Sequence, residues 1–299
     1  MKKNGRRRGL QRYKCLSCKR RFTSSRKEKL DWIQDAYEDY SVHKQTYKEL
    51  SAKYGKSART LRKYFDNYAG ATGEIHQANE SIVLIMDATF FGRGYGILLA
   101  RSLKKALLWQ EIESETILVY SKLLDDLESS GYCFSGFVID GRSGIRKLLE
   151  TRYPEILIQF CQFHQIQIVK RYIPRKAQTD AAKSLRDIAL GIPKLDEKGL
   201  VERLNRWYEK HGYFLNEKTF IEGTSHWRYT HGRLRSAFRS LKRNLPYLFT
   251  YQKFPALKMP NTTNHCDGLF AHIKQKVLIH RGISQKRRKQ MIDFLLENF

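Results

Sequence analysis

Acid is what this chain lacks most. Against 56 Lys and Arg it carries 30 Asp and Glu, a formal net charge of +26 over 299 residues, with a pI near 9.9. An excess that large, spread over sequence with a folded character, points to nucleic acid more than to a membrane surface. Long apolar runs are also missing. Nothing reaches the roughly 18 residues of a membrane-spanning helix, so no membrane partner is expected. The basic N-terminus has no apolar stretch of the kind a signal peptide needs. Cysteine is sparse and odd in number, five in all. That excludes a disulfide framework and leaves a reducing cytoplasm as the natural setting. Neither an internal repeat nor a low-complexity tract is present. The length suggests about two domains and suffices to bury a real core.

Residues 1–26 form a basic arm containing Cys15-Leu16-Ser17-Cys18. A zinc ribbon needs two such pairs, and no second pair has suitable spacing. Cys15 and Cys18 are therefore an incomplete zinc site or two free thiols. The pair lies so near the start that an upstream half is expected to be missing through truncation or an alternative start.

Residues 27–70 read as a small helical domain. Trp32, Ala36 and Tyr40 recur at helical spacing. The stretch from Tyr47 to Phe65 places Ala52, Gly55 and Leu61 at helix-turn-helix intervals, with Ser57 as cap of the second helix. Arg59, Thr60, Arg62 and Lys63 would then face a DNA groove; an ordinary helical hairpin with a charged face is the alternative. Tyr68 to Glu80 reads as a polar linker.

Over 78–175 the period changes. Strand runs are expected at Ser81–Phe91, Tyr95–Arg101, Lys105–Ile112, Cys133–Asp140 and Glu155–Phe163. Helices are expected at Glu115–Ser130, Gly144–Tyr153 and Gln165–Tyr172. Three adjacent strands followed by alternating helix and strand describe an α/β layer with a mixed sheet. Asp87 and Asp140 stand at the ends of two of these strands. A third acid, Asp267, opens the helical stretch 264–278. Strand-end aspartates with an acid from a packed helix can hold a pair of divalent ions about 3.5–4 Å apart for phosphodiester chemistry. Each acid also has a plainer reading: Asp267 as part of an Asn264-x-x-Asp267 capping box, the other two as turn residues. Residues 176–258 show no convincing strand and read as an all-helical insertion. There Trp227 beside Arg228 could stack on a base, and Arg233, Arg235 and Arg239 could contact phosphates. Residues 259–299 close the core with two helices.

The order Asp87-Ala88-Thr89-Phe90-Phe91, Val138-Ile139-Asp140-Gly141, Cys161-Gln162-Phe163-His164 and Asn264-x-x-Asp267-Gly268-Leu269-Phe270 resembles that of bacterial insertion-sequence transposases. More narrowly it is similar to the Mutator-like superfamily in its variant with an N-terminal zinc-binding knuckle, whose second half resembles Gly9 to Cys18. His280-Arg281-Gly282-Ile283-Ser284 adds to the likeness, which covers nearly the whole chain. It implies an RNase H-like mixed-sheet core with a helical insertion, preceded by a small helix-turn-helix domain. It implies a DDE-type transposase using two Mg²⁺ or Mn²⁺ ions, with Zn²⁺ in a fuller N-terminal ribbon. Water would be activated for nicking, and then the free 3′-hydroxyl for strand transfer. Asp87 and Asp140 map onto the first two acids. Cys161 and His164 map onto a structural or supporting C-x-x-H pair. The implied partners are double-stranded DNA, as element ends and target, and further copies of the chain in a homo-oligomer. The implied setting is a bacterial cytoplasm, at the nucleoid. The family's third acid is normally Glu; Asp267 is a methylene shorter, a reach of roughly 1.5 Å less. A catalytically impaired relic that still binds element ends is therefore the competing expectation. A nuclease acting on RNA–DNA hybrids ranks behind both.

Overall fold

The computed structural model describes residues 1–7, 10–23, 31–68, 80–280 and 282–298. Gly9, Arg281 and most of the expected linker, residues 69–79, lie outside them. The chain forms two compact units, Met1–Gly70 with Gly282–Arg287, and Ala71–Arg281 with Arg288–Phe299.

The first unit opens on a three-stranded antiparallel sheet, β1 (Lys2–Arg7), β2 (Leu10–Lys14) and β3 (Arg21–Thr23). The sequence suggests only a basic arm there. Cys15 and Cys18 sit in the β2–β3 connection, and the Cys15 thiol lies 3.1 Å from the Ser17 hydroxyl. Three helices follow: α1 (Asp31–Ser41), α2 (Tyr47–Tyr54) and α3 (Ala58–Asn67). The local chemistry fixes their boundaries. Thr46 and Glu49 form a reciprocal capping box at α2, and Gly55 ends it in the left-handed conformation, φ 62°. The Ser57 hydroxyl accepts from the Thr60 amide at 3.1 Å, the cap expected from sequence. Leu50, Leu61 and Phe65 are buried with Ala36, Tyr37 and Tyr40, while Ala52 is exposed.

The second unit is built on a five-stranded mixed sheet. Its strands are β4 (Glu80–Phe90), β5 (Gly96–Arg101), β6 (Ala106–Ile112), β7 (Tyr132–Ile139) and β8 (Leu157–Phe160). They lie in the order β6-β5-β4-β7-β8. The first three form an antiparallel meander; β7 and β8 join parallel to β4. This order, with one strand reversed and helices crossing between the parallel strands, is the RNase H-like arrangement. The crossover helices are α4 (Ile117–Ser129) and α5 (Ser143–Arg152), and α6 (Gln162–Tyr172) follows β8. On α4, Tyr120, Leu123, Leu124 and Leu127 form the buried stripe that the helical period predicts.

Alternation along β4 separates two faces. Ile82, Leu84 and Met86 enter a core shared with α4, α5 and the residues beyond α6. Val83, Ile85 and Asp87 point the other way, toward the side where α11 (Asn264–Ile279) packs on β4. The segment between α6 and α11 contains α7 (Asp180–Gly191), α8 (Glu197–His211), α9 (Gly232–Asn244) and the short α10 (Thr250–Lys253). The expectation of an all-helical stretch is corrected in one place. The three-residue strands β9 (Lys218–Phe220) and β10 (Trp227–Tyr229) pair as an exposed hairpin, too short to leave an alternating pattern. A final helix, α12 (Gln285–Glu297), carries buried Met291, Ile292 and Leu295.

Three adjacent buried glutamines fasten the inserted segment to the core. Gln159 and Gln162 both donate to the Leu248 carbonyl, at 3.0 and 2.9 Å, and Gln159 accepts from the Tyr251 amide. Gln165 donates to Ser240 and accepts from Asn244. Buried amides are stable only when so paired.

Candidate active site

The sheet register brings the first two aspartates side by side. Ile85 pairs with Val138 in the parallel β4–β7 ladder, so two residues on, Asp87 stands beside Asp140. Contrary to the sequence expectation, Asp87 does not end its strand. The antiparallel pairing with β5 carries β4 on to Phe90. Asp140 directly follows β7. The chain then turns through Gly141, φ +84°, where a Cβ would lie 3.0 Å from the Phe160 ring. Substitution is strained there both by conformation and by space.

Asp267 comes from the first turn of α11, and Arg101 holds that end of the helix. Arg101 is a buried residue of β5 and donates to the His265 carbonyl at 2.8 Å. Thr263, not Asn264, occupies the cap position. Asn264 is the first helical residue and is exposed, so the capping-box reading of Asn264 and Asp267 is set aside.

The C-x-x-H pair also sits differently from expectation. β8 stops at Phe160 and α6 begins at Gln162. Cys161 is therefore a helix cap and His164 lies in the first turn, because the Cys161 amide closes the sheet on the Ile139 carbonyl and the chain bends at once. The Cys161 sulfur accepts from the Thr263 amide at 3.2 Å, and the Thr263 hydroxyl lies 3.3 Å from His164 Nδ1. This three-residue junction ties the start of α6 to the start of α11.

Asp87, His164 and Asp267 offer one ligand atom each, and these atoms all lie within 4.8 Å of one another. Burial, reinforced by Asp267 and Asp140, pushes the Asp87 carboxyl up to about 7 despite the opposing effect of His164. For His164, burial works against the charged form. The hydrogen bond that the ring donates to the Cys161 sulfur, with the negative charge of Cys161, Asp87 and Asp267, outweighs it and raises the imidazole to about 9. Asp267 Oδ2 is buried with no hydrogen-bond partner among the described residues. A buried carboxylate oxygen left unpaired in a cluster of opposing acids fits a cation. The two carboxylates suit Mg²⁺ or Mn²⁺, and the imidazole widens the range to other transition ions.

Asp140 is not in that close group. Its Oδ1 accepts from the Arg142 amide at 3.0 Å and its Oδ2 from Arg142 Nε at 3.0 Å. The same guanidinium pairs with Glu115, which immediately precedes the Thr116 cap of α4. Asp140, Glu115, Arg142 and His164 line a cavity of about 520 Å³, together with Arg171 and Arg243. Sequence reasoning missed Glu115, Arg142, Arg101 and Thr263. Only Arg142 left a signal, as a cation two residues after a strand-end acid.

The expected nucleic-acid contacts divide. Arg59, Arg62 and Lys63 are exposed on α3, with Arg62 stacked over the Tyr47 ring at 4.8 Å. Thr60 lies 2.9 Å from the capping Ser57 hydroxyl. On the hairpin, Trp227 and Arg228 are exposed, and Lys218 lies over the Trp227 ring at 3.9 Å. Arg239 is exposed on α9. Arg233 is exposed and donates to the Arg171 carbonyl at 2.6 Å. Arg235 differs from these two: it is half-buried, donates to the Leu215 carbonyl at 2.5 Å and lies 3.9 Å over Tyr229. It faces the fold because Leu215 and the hairpin close over that side of α9.

Among the described residues no helix is long and apolar enough to cross a membrane. No protein-family model matches the chain, and no curated protein matches it. Among solved structures, one similar chain is described as the Drosophila P element transposase strand transfer complex. It is 12% identical, covers 91% of this chain and 92% of that one, and gives a TM-score of 0.44.

Proposed function

We propose that the chain is a DNA transposase whose RNase H-like core cuts and joins phosphodiester strands with divalent cations. The observation that carries this reading is the convergence of Asp87, His164 and Asp267 within 4.8 Å, beside an Asp140 that the β4–β7 register places next to Asp87. Asp87 and Asp267 would hold the cation, with Asp140 completing the carboxylate set. His164, expected from sequence to be a supporting residue, stands where it can join them. A bound divalent cation supplies activation of water or a 3′-hydroxyl and neutralises charge at the leaving oxygen. The chain's own residues position it. Arg101 and the Cys161–Thr263–His164 junction fix the first turn of α11, so the shorter Asp267 reaches the cluster. The net charge of +26, with Arg59, Arg62 and Lys63 on α3 and Arg228 and Arg239 beyond the core, suits a DNA duplex. The α2–Gly55–α3 segment would act as the helix-turn-helix. Assembly of two element ends calls for at least a dimer.

The test is a nicking and strand-transfer assay with Mg²⁺ or Mn²⁺ on DNA carrying the ends of the element that encodes the chain. Cation-dependent cleavage, abolished in Asp87→Asn, Asp140→Asn and Asp267→Asn alike, is the expected outcome. Salt-sensitive binding without cleavage would replace it with the relic reading, and recovery of cleavage in Asp267→Glu would place the defect at the third acid.

A further inference from the structure

Arg142 occupies an unusual position for a cation. Its guanidinium sits between two carboxylates that line one cavity, joined to Asp140 through Nε and to Glu115 through a terminal nitrogen. The two partners differ. The Glu115 side chain is only 8% exposed, and it also accepts from the Tyr120 hydroxyl at 2.9 Å. The Asp140 side chain is 22% exposed and Arg142 itself 50%. Glu115 is thus the fixed end of the contact and Asp140 the accessible end. The Asp87–His164–Asp267 group, meanwhile, closes without Asp140. The same cavity is lined by Arg171 and Arg243, so the open side of Arg142 faces a basic, phosphate-compatible space.

We infer that Arg142 is a built-in competitor of the divalent cation at Asp140. When the cation takes Asp140, Arg142 stays anchored on Glu115 and becomes a ligand for the substrate phosphodiester in the cavity. Arg142 and Glu115 are positioning residues for Asp140 until substrate arrives, and Arg142 alone then touches it. The inference rests on the proposed function, since it takes Asp140 to be a cation ligand. It adds two residues that the three-acid scheme does not contain.

Charge and connectivity set the expected effects. Removing Arg142 frees Asp140 and strips a positive charge from beside the cation, so cation affinity rises. Neutralising Glu115 releases the fixed end and leaves Asp140 as the only acidic partner of Arg142, so cation affinity falls. If Glu115 acts through Arg142, its effect disappears once Arg142 is gone. A damaged fold would move both variants in the same direction.

The experiment is an Mn²⁺ titration of the full chain without DNA, following free Mn²⁺ by electron paramagnetic resonance, on wild type, Arg142→Gln, Glu115→Gln and the double variant. Circular dichroism and melting check that each is folded. Arg142→Gln is expected to bind Mn²⁺ about tenfold more tightly. Glu115→Gln should bind several-fold more weakly, and the double variant should match Arg142→Gln. With element-end DNA, Arg142→Gln should need a severalfold higher DNA concentration for half-maximal cleavage, while Mn²⁺ half-saturation stays low. An unchanged Mn²⁺ midpoint in folded Arg142→Gln, or parallel weakening in both single variants, overturns the inference and leaves the proposed function standing. No Mn²⁺ binding by the wild type overturns both.

Discussion

Replacing Asp87 with Asn should make the cation-free protein more stable, not less. Burial and the neighbouring Asp267 and Asp140 raise this carboxyl from 3.8 to about 7. In the unfolded chain the group is ionised above about pH 4. In the folded chain it keeps its proton until about pH 7. Between those limits the folded state holds more protons, so stability falls as pH rises, and above about pH 7 the loss is complete. A displacement of about three units at 1.36 kcal/mol each sets a ceiling of about 4 kcal/mol. The opposing attraction of His164 is already contained in that value, so a gain of up to about 4 kcal/mol is expected for Asp87→Asn at about pH 8. Asn keeps an oxygen for the Ala88 amide, which donates to Asp87 Oδ1 at 2.8 Å, so little packing is lost. At about pH 4 the wild-type carboxyl is protonated in the fold and the two proteins should be nearly equal. The assay is urea unfolding in chelator at about pH 4, 6 and 8, following near-ultraviolet circular dichroism. A wild type that is at least as stable as the variant at the highest pH, or a difference that does not grow from the lowest pH to the highest, would refute the argument.

Gln162→Ala should cost about 2–4 kcal/mol, because it removes the bond to the Leu248 carbonyl and the acceptor of the Asn261 amide, at 2.9 and 3.1 Å, and leaves a cavity; a loss under about 1 kcal/mol in urea unfolding would contradict the fastening role given to these buried amides. Arg239→Ala should flatten the salt dependence of DNA binding by about one unit without changing the melting temperature, whereas Arg235→Ala should lower the melting temperature. Equal behaviour of the two in binding and melting assays would dissolve the distinction drawn from their burial. In the first unit, Arg287 holds Asp66 below the usual carboxylate range through bonds of 2.6 and 2.7 Å. That contribution is present above the ordinary value of 3.8 and is lost as pH falls through the depressed folded value. Asp66→Asn should therefore weaken α3 at about pH 7, and the difference should shrink as pH falls below the ordinary value of 3.8, as read by amide hydrogen exchange.

The fold was legible wherever burial imposes a period. The run Ile82–Met86 announces β4, and the Tyr120–Leu127 stripe announces α4, because each must turn apolar groups inward. Ser57 announces α3 through a bond made within three residues. The N-terminal sheet was invisible because Lys2-Lys3-Asn4-Gly5-Arg6-Arg7 has no apolar face to alternate. The three-residue strands of the hairpin are shorter than any pattern. The site was half legible for a related reason. Acids that follow apolar strand runs show in the chain, but what aims them does not. Cys161 meets Thr263 across 102 residues, and Arg101 meets His265 across 164. No local period records such pairings. Glu115 escaped because an acid before a helix cap is ordinary until the fold brings Arg142 to it.

These long-range partners share one physical task. Acids that converge on a cation repel one another when it is absent, and the folded chain must survive that state. Each acid meets the problem differently. Asp87 is protonated far above its usual range, and His164 carries a charge beside Asp87 and Asp267. Asp140 is held by Arg142, which is fastened in turn by Glu115. Asp267 Oδ2 is left buried and without a hydrogen-bond partner among the described residues. In the proposed reading a dication would undo these arrangements. Asp87 would give up its proton, Arg142 would lose its hold on Asp140, and the unpaired Asp267 oxygen would gain a partner. Binding would then be opposed by the positive charges of Arg142 and His164 and favoured by the acids that they leave incompletely paired. Affinity would depend on Arg142 and Glu115 as well as on the acids themselves.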